Sequence, residues 1–342
     1  MNWEKWCLRL STGVIVLAVF FRVLGNGGAQ AVVAKFAQPE TASILFFMET
    51  GRILSSAPTQ PQLEQIPAPS EETVPATENT PEETQTPTVP ETLPISFDKK
   101  DAALVEVNSV CGYKTDLPVL LQTPLSWDLT TQEPTVLIVH SHGTESYEKT
   151  ENYTESSSYR TKNNDYNVVS IGAEIKKVLE DGGISVIHDT TCHDNPSYSD
   201  AYANSRKSIK DYLAQYPSIQ MVLDIHRDAA TDKNGKQVGY TIKAGEETAA
   251  KLMLVVGTDA NGLRHPQWPE NMALAVKLHA QLEKTTPGIC RPISFRKQRF
   301  NQDLSTGALL VEVGSAGNTR QEALVAARLL ANSILALSAG TS

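Results

Sequence analysis

Apolar and polar positions along this 342-residue chain follow three regimes. Residues 10–24 form an apolar stretch interrupted by Ser11, Thr12 and Arg22. Residues 56–95 are dominated by Pro, Thr, Glu and Gln and have too little apolar content to repay ordering. From residue 100 onward, short apolar runs alternate with longer stretches of helical periodicity. The runs predict buried strands over 103–107, 135–140, 184–188, 221–225, 239–242, 252–256 and 309–313. The periodic stretches predict helices over 168–180, 200–215, 271–283 and 320–337, the first stopped by Asp181-Gly-Gly183. Strands alternating with helices predict an α/β domain of three αβα layers around a mainly parallel, mixed sheet. The apolar run 329–337 is too short for a membrane span and is read as part of a docking helix.

Three of the apolar runs lead into residues that can hold or use a metal. Val136-Leu-Ile-Val139 is followed by His140-Ser-His142-Gly-Thr-Glu145-Ser-Tyr147, Met221-Val-Leu223 by Asp224-Ile-His226-Arg227-Asp228, and Leu309-Leu-Val311 by Glu312-Val-Gly-Ser315. Ligands of open α/β sheets bind beyond the carboxyl ends of the strands. Two imidazoles and two carboxylates delivered there match a catalytic zinc site with a general base.

His142 and Glu145 form an H-x-x-E just after a strand, and a tight loop can turn both toward one metal. His140 shares a face with His142 if the strand continues, so one of the two can be a ligand and the other its support. His226 is the natural third ligand, with Asp224 or Asp228 orienting its ring. Arg227 could bind a substrate carboxylate or steady an oxyanion. Glu312, inside an apolar run, is expensive to bury without a partner, and a raised pKa there fits a general base. The plainer alternatives are a solvated loop histidine, a salt-bridged strand end and a structural ion pair. His188-Asp189 and His193-Asp194 form a further cluster that could substitute as ligand or support. Tyr198, Tyr202 and Trp268 are read as packing residues or the lining of a groove.

Charge adds a boundary. Of a net charge of −9, eight negative charges (seven Glu and Asp98) lie between Arg52 and Lys99, where there is no Lys or Arg. No basic surface follows from the totals, and nucleic acid is not an expected partner. Cys7, Cys111, Cys192 and Cys290 form no C-x-x-C pair, so neither a disulfide framework nor a cysteine zinc site is indicated.

Lys5 and Arg9 precede the apolar stretch of residues 10–24 and favour an uncleaved anchor, residues 1–30, with its N-terminus inside. A signal peptide cleaved at Ala29-Gln30-Ala31 is the competing reading. Residues 31–99 then read as a juxtamembrane segment and disordered linker, able to extend on the order of 120 Å. Residues 100–342 read as the catalytic domain.

With these words in hand, the chain resembles the stage II sporulation protein P family. The shared words are His140-Ser-His142-Gly-Thr-Glu145-Ser-Tyr147, Tyr159-Arg-Thr161 with Asn167-Val-Val169, His188-Asp189, His193-Asp-Asn-Pro-Ser-Tyr198, Asp224-Ile-His-Arg-Asp228, Asn301-Gln-Asp303 and Glu312-Val-Gly-Ser315. The resemblance implies a single-pass membrane protein with an extracytoplasmic peptidoglycan hydrolase domain. Such proteins cut the amide between N-acetylmuramic acid and L-alanine, and peptide cross-links too. They act in septal thinning and forespore engulfment. The implied partners are the lytic transglycosylase stage II sporulation protein D and the membrane protein stage II sporulation protein M.

The Leu-Val-Glu-Val-Gly word is also similar to one in zinc-dependent muramoyl-alanine amidases, which implies their fold. In those amidases the carboxylate ligand lies on the first helix after the first histidine. Here that region offers Asn164, Asp165 and Asn167 but no Glu in the expected place, so Glu145 is taken as the ligand and Asp165 as its alternative. Zinc carboxypeptidases also use H-x-x-E with a distant His and a late Glu. A carboxypeptidase or endopeptidase on stem peptides is therefore the enzymatic alternative, and a cell-wall-binding scaffold the non-enzymatic one.

Overall fold

A computed structural model of the chain describes residues 96–125, 128–149 and 158–339. The expected anchor and almost all of the linker lie outside the described residues. The described part belongs to one unit of the chain, Thr86–Ser342.

Nine strands and five α-helices are described: β1 (Val107–Ser109), α1 (Leu117–Gln122), β2 (Val136–Val139), α2 (Val168–Asp181), β3 (Val186–His188), α3 (Ala201–Gln215), β4 (Met221–Asp228), β5 (Thr241–Ala244), β6 (Glu247–Ala250), β7 (Leu252–Val256), α4 (Trp268–Thr285), β8 (Ile293–Phe295), β9 (Gly307–Ser315) and α5 (Arg320–Ala339). Seven strands form one sheet in the order β1-β8-β7-β9-β4-β2-β3, and β5 and β6 form a separate hairpin. Every pairing in the large sheet is parallel except β7 with β9. The sheet is thus two parallel blocks of opposite direction. The chain leaves β4, makes the β5–β6 hairpin and re-enters beyond β9 running backward. The carboxyl ends of β2, β3, β4 and β9 therefore gather at one edge, as the ligand-binding rule for open α/β sheets requires.

The central strands are buried on both faces, which is why they read as apolar runs rather than alternations. Met221, Leu223 and Ile225 join the core made with α2, α4 and α5, whereas Val222 packs with Ile209, Tyr212 and Leu213 of α3. By the two-residue period, Asp224 and His226 continue the α3 face. Truncating a core residue such as Leu223 costs about 2–5 kcal/mol, so the register that places these polar side chains is firmly held.

The four predicted helices are present. Asn167 caps α2 by accepting from Val169 N at 2.9 Å, and Gly183 beyond its end takes the left-handed conformation (φ 87°). α5 is long and apolar enough to cross a membrane, so the length argument against a span fails. Most of its apolar positions are instead buried in the core, among them Ala323, Leu330, Ile334 and Leu337. The predicted strand 103–107 is a correction. Asp98 and Asp101 build a capping box that winds Lys99–Leu104 into a 3-10 turn, and the strand begins only at Val107. α1, β6 and β8 were not predicted, being too short or too irregular to show a period.

Candidate active site

β2 ends at Val139, and the eight residues that follow turn across the sheet edge. Glu145 N donates to His142 O (3.0 Å), Ser146 N to Tyr159 O (2.9 Å), and Val168 N, at the start of α2, to Glu145 O (2.8 Å). The buried Tyr147 hydroxyl donates to Val313 O of β9 at 2.9 Å. The loop is thus tied to a helix start and to a neighbouring strand. Gly143 lies where a Cβ would come within 3.2 Å of Cys192 Cα, so a side chain there would crowd the facing segment.

This loop meets β4 and β9. The rings of His142 and His226 stand 5.4 Å apart, nearly perpendicular. Glu145 Oε2 is 3.3 Å from His226 Nδ1. Glu312 is the direct cross-strand partner of His226. Asp224 Oδ1 lies 2.8 Å from His226 Nε2 but off the line of a hydrogen bond. Asp224 is fixed by Ser141, whose N (2.8 Å) and hydroxyl (2.6 Å) both donate to it. His142, Glu145, Asp224 and His226 are all buried.

Burial raises Glu312 to about 8, against some opposition from His226. Burial alone would raise Glu145 and Asp224 too. His226 with Arg227 and His142 outweighs it for Glu145, and His226 with Ser141 for Asp224, so both are held at about 2. For His226 burial favours the neutral ring, but Asp224 and Glu145 overcome it and hold the pKa well above the ordinary value. Burial, followed by the charge of His226, brings His142 down to about 4. One edge therefore carries a neutral imidazole, a cationic one, two carboxylates and a carboxyl group that keeps its proton at neutral pH.

Among the described residues no group of three His, Cys, Asp or Glu already stands in a metal-holding arrangement. The donor chemistry nevertheless fits a divalent ion. His142 Nδ1, His226 Nε2 and Glu312 Oε2 are buried without hydrogen-bond partners, and such atoms are costly unless something satisfies them. Two imidazoles with a carboxylate from Glu145 or Asp224 are zinc-type donors once His226 gives up its extra proton, since a ligating imidazole is neutral.

Other expected site residues lie elsewhere. Arg227 is engaged within the protein. It is buried, with Nε donating to Ser146 O (2.8 Å), one terminal amino group to Tyr159 O (2.7 Å), and its backbone N to Glu145 Oε2 (3.2 Å). It positions the loop and Glu145. Asp228 does not orient His226: it pairs with Arg291 at 2.6 Å and accepts from Ala229 N. Asp165 is exposed on the loop before α2 and joins no cluster.

Buried His140 and half-buried His188 form a separate pair, Nε2 to Nε2 at 2.8 Å. His140 Nδ1 must donate to Ile225 O (3.0 Å), so His188 donates to His140 Nε2. Burial first, then His188, pushes His140 down to about 3; burial first, then Lys176, pushes His188 to about 4. His193 pairs with Asp189 at 3.0 Å.

Sequence reasoning gave no role to Arg160, although its word was noted. Its guanidinium bonds Asp194 (2.9 Å) and Thr144 (3.2 Å) and lies 4.6 Å from the centre of the Tyr198 ring. Tyr198 in turn stacks on His142 at 4.3 Å. Tyr202, from the first turn of α3, lies parallel to His226 and edge-on to His142. Burial raises the Tyr202 hydroxyl, and Asp224, Glu312 and Glu145 raise it further. No period or spacing marks these aromatics, because loop closure brings them in.

The family model for stage II sporulation protein P matches residues 46–335. Stage II sporulation protein P of Bacillus subtilis (strain 168) is 30% identical over 208 residues, which are 58% of this chain and 49% of that protein. The chain thus spans about half the length of this curated relative. Among solved structures, an N-acetylmuramoyl-L-alanine amidase from Clostridium difficile 630 superposes with a TM-score of 0.34 at 16% identity, covering 60% of this chain and 94% of that one. An N-acetylmuramyl-L-alanine amidase from Mycobacterium smegmatis gives 0.35 at 14%, covering 62% and 97%. The match over residues 46–335 decides the assignment: the chain belongs to the stage II sporulation protein P family.

Proposed function

We propose that this protein is a zinc-dependent peptidoglycan hydrolase that cuts the amide between N-acetylmuramic acid and L-alanine. The observation that carries this reading is the convergence of His142, Glu145, His226 and Glu312, drawn from three separate chain segments onto one sheet edge. Family membership supports the substrate class and a role in sporulation, in wall thinning and engulfment.

His142 and His226, with Glu145 or Asp224, would hold the ion. Zinc, when bound, polarises the scissile carbonyl and acidifies the attacking water. Asp224, fixed by Ser141, lies beside His226 Nε2, while Glu145 faces the other ring nitrogen, Nδ1. Arg227 holds Glu145 and the loop in place. Glu312 is protonated at rest and becomes a base only when positive charge is added beside it. It would then take a proton from the attacking water and hand it to the leaving amine. Tyr198 and Tyr202 wall the imidazoles from solvent.

Residues 1–30 are proposed as the membrane anchor and the following segment as a tether, with the catalytic domain extracytoplasmic. Stage II sporulation proteins D and M are the proposed partners by family resemblance. The test is mass spectrometry of purified cell wall digested with the full chain, with and without a chelator. Chelator-sensitive release of peptides beginning with a free L-alanine amine is expected. Fragments cut only within the stem or cross-link would replace the amidase reading by the peptidase one. No release at all would favour a binding scaffold.

A further inference from the structure

The role that sequence gave to Arg227 needs a different arginine. Arg227 is buried and engaged with backbone carbonyls. Arg160 is not enclosed: 28% of its side chain is exposed. It is nonetheless held tightly. One terminal nitrogen bonds Asp194 at 2.9 Å and Thr144 Oγ1 at 3.2 Å, the other lies 3.5 Å from Glu145 Oε1, and one face rests on the Tyr198 ring. Asp194 does not depend on it alone, since Thr144 donates to that carboxylate through both N and Oγ1. Tyr198 is 57% exposed yet stacked on His142 at 4.3 Å. His142, Tyr198 and Arg160 thus form a stack leading from the reaction centre to solvent. A guanidinium so fixed loses little freedom on binding an anion, and its planar fork suits a carboxylate.

We propose that Arg160, backed by Tyr198, is a specificity-determining residue that binds a carboxylate of the peptide substrate. This rests on the hydrolase reading above. Two stacking steps of 4.3 and 4.6 Å separate His142 from the guanidinium. An extended peptide covers such a gap in two to three residues, at roughly 3.3–3.6 Å each. In a stem peptide the second residue is a glutamate linked through its side chain, so its α-carboxyl is free or amidated. That group is the favoured ligand. A terminal carboxylate has the same chemistry and is separated from it by experiment.

The test uses four muramyl tripeptides, with the second-residue α-carboxyl and the C-terminus each as acid or amide. Wild-type full chain is expected to prefer the α-acid roughly 10- to 100-fold in kcat/KM, the worth of a charge-assisted hydrogen bond. The difference should lie in KM. Arg160→Met should erase the preference and Arg160→Lys should retain part of it. A preference that follows the C-terminal acid would overturn the α-carboxylate assignment and place a chain end on Arg160. Wild type that treats acids and amides alike, or a preference unchanged in Arg160→Met, would overturn the proposal with the hydrolase reading intact.

Calorimetric binding of the same peptides to Glu312→Gln gives a second readout independent of turnover. If wild type cuts nothing, an acid preference in binding that disappears in Glu312→Gln/Arg160→Met would uphold Arg160 while the hydrolase reading falls. Equal binding of all four peptides would overturn the Arg160 assignment whether or not wild type cuts.

Discussion

His226 on β4 and Glu312 on β9 are direct partners in a parallel strand pairing. Neighbouring strands lie about 4.8 Å apart and paired residues point to the same face. An imidazole and a buried carboxyl are therefore side by side by virtue of sheet register alone. Loop conformation, which sets His142 and Glu145, has no part in it.

Glu312→Gln should keep the fold, because glutamine has the same shape and removes only the titratable proton. Turnover on cell wall should fall by roughly 10²–10⁴-fold, the usual contribution of a positioned acid–base group. Near-normal turnover in a muropeptide release assay would make Glu312 a structural residue.

The same side chain sets a pH dependence. Its ordinary pKa is 4.5 and its folded value about 8, raised by burial. The folded state binds this proton more tightly than the unfolded one. That contribution is complete below pH 4.5 and is lost as pH rises to about 8. In chelator-treated protein, wild type should lose stability over this window relative to Glu312→Gln, with no further divergence above it. Parallel denaturation curves from pH 4.5 to 8 would show that Glu312 is ionised in the fold.

Much of this site was legible because strands carry it. Asp224, His226 and Glu312 sit where apolar runs acquire a polar residue, and a two-residue period fixes their faces. For Arg227 the sequence shows its place beside His226 but not that Ser146 and Tyr159 turn their carbonyls to it. The pairing of Asp228 with Arg291 is hidden for the same reason, the two being 63 residues apart. Arg160 and Tyr198 lay beyond periodicity, since their contacts come from loops. β8 was missed because three residues are too few to show a pattern.

Arg227→Ala should destabilise the domain by about 3–5 kcal/mol, the cost of stranding a buried charge partner. Glu145 loses its backing, and the Ser146 and Tyr159 carbonyls lose a donor. Arg227→Lys should recover only part, because one ammonium cannot reproduce the fork. Urea denaturation reads both. A loss below about 0.5 kcal/mol, the usual size of a surface effect, would contradict the positioning role.

Gly172 on α2 lies against the His140–His188 pair: a Cβ there would come within 2.7 Å of His140 Cε1, His140 Nε2 and His188 Nε2. Alanine ordinarily gains about 1 kcal/mol over glycine in a helix. Here the clash should outweigh that gain, and Gly172→Ala should lower stability by about 1–2 kcal/mol. A raised melting temperature would show that the imidazoles move aside freely.

The most direct measurement is zinc stoichiometry and wall hydrolysis on the same samples of wild type, His142→Ala/His226→Ala and Glu312→Gln. About one zinc per chain is expected in wild type and in Glu312→Gln, as for a catalytic site with three protein ligands. The histidine double variant should hold none, and only wild type should release peptides at full rate. Full zinc occupancy in the double variant would contradict the assignment, and loss of zinc from Glu312→Gln would make Glu312 a ligand instead of the base.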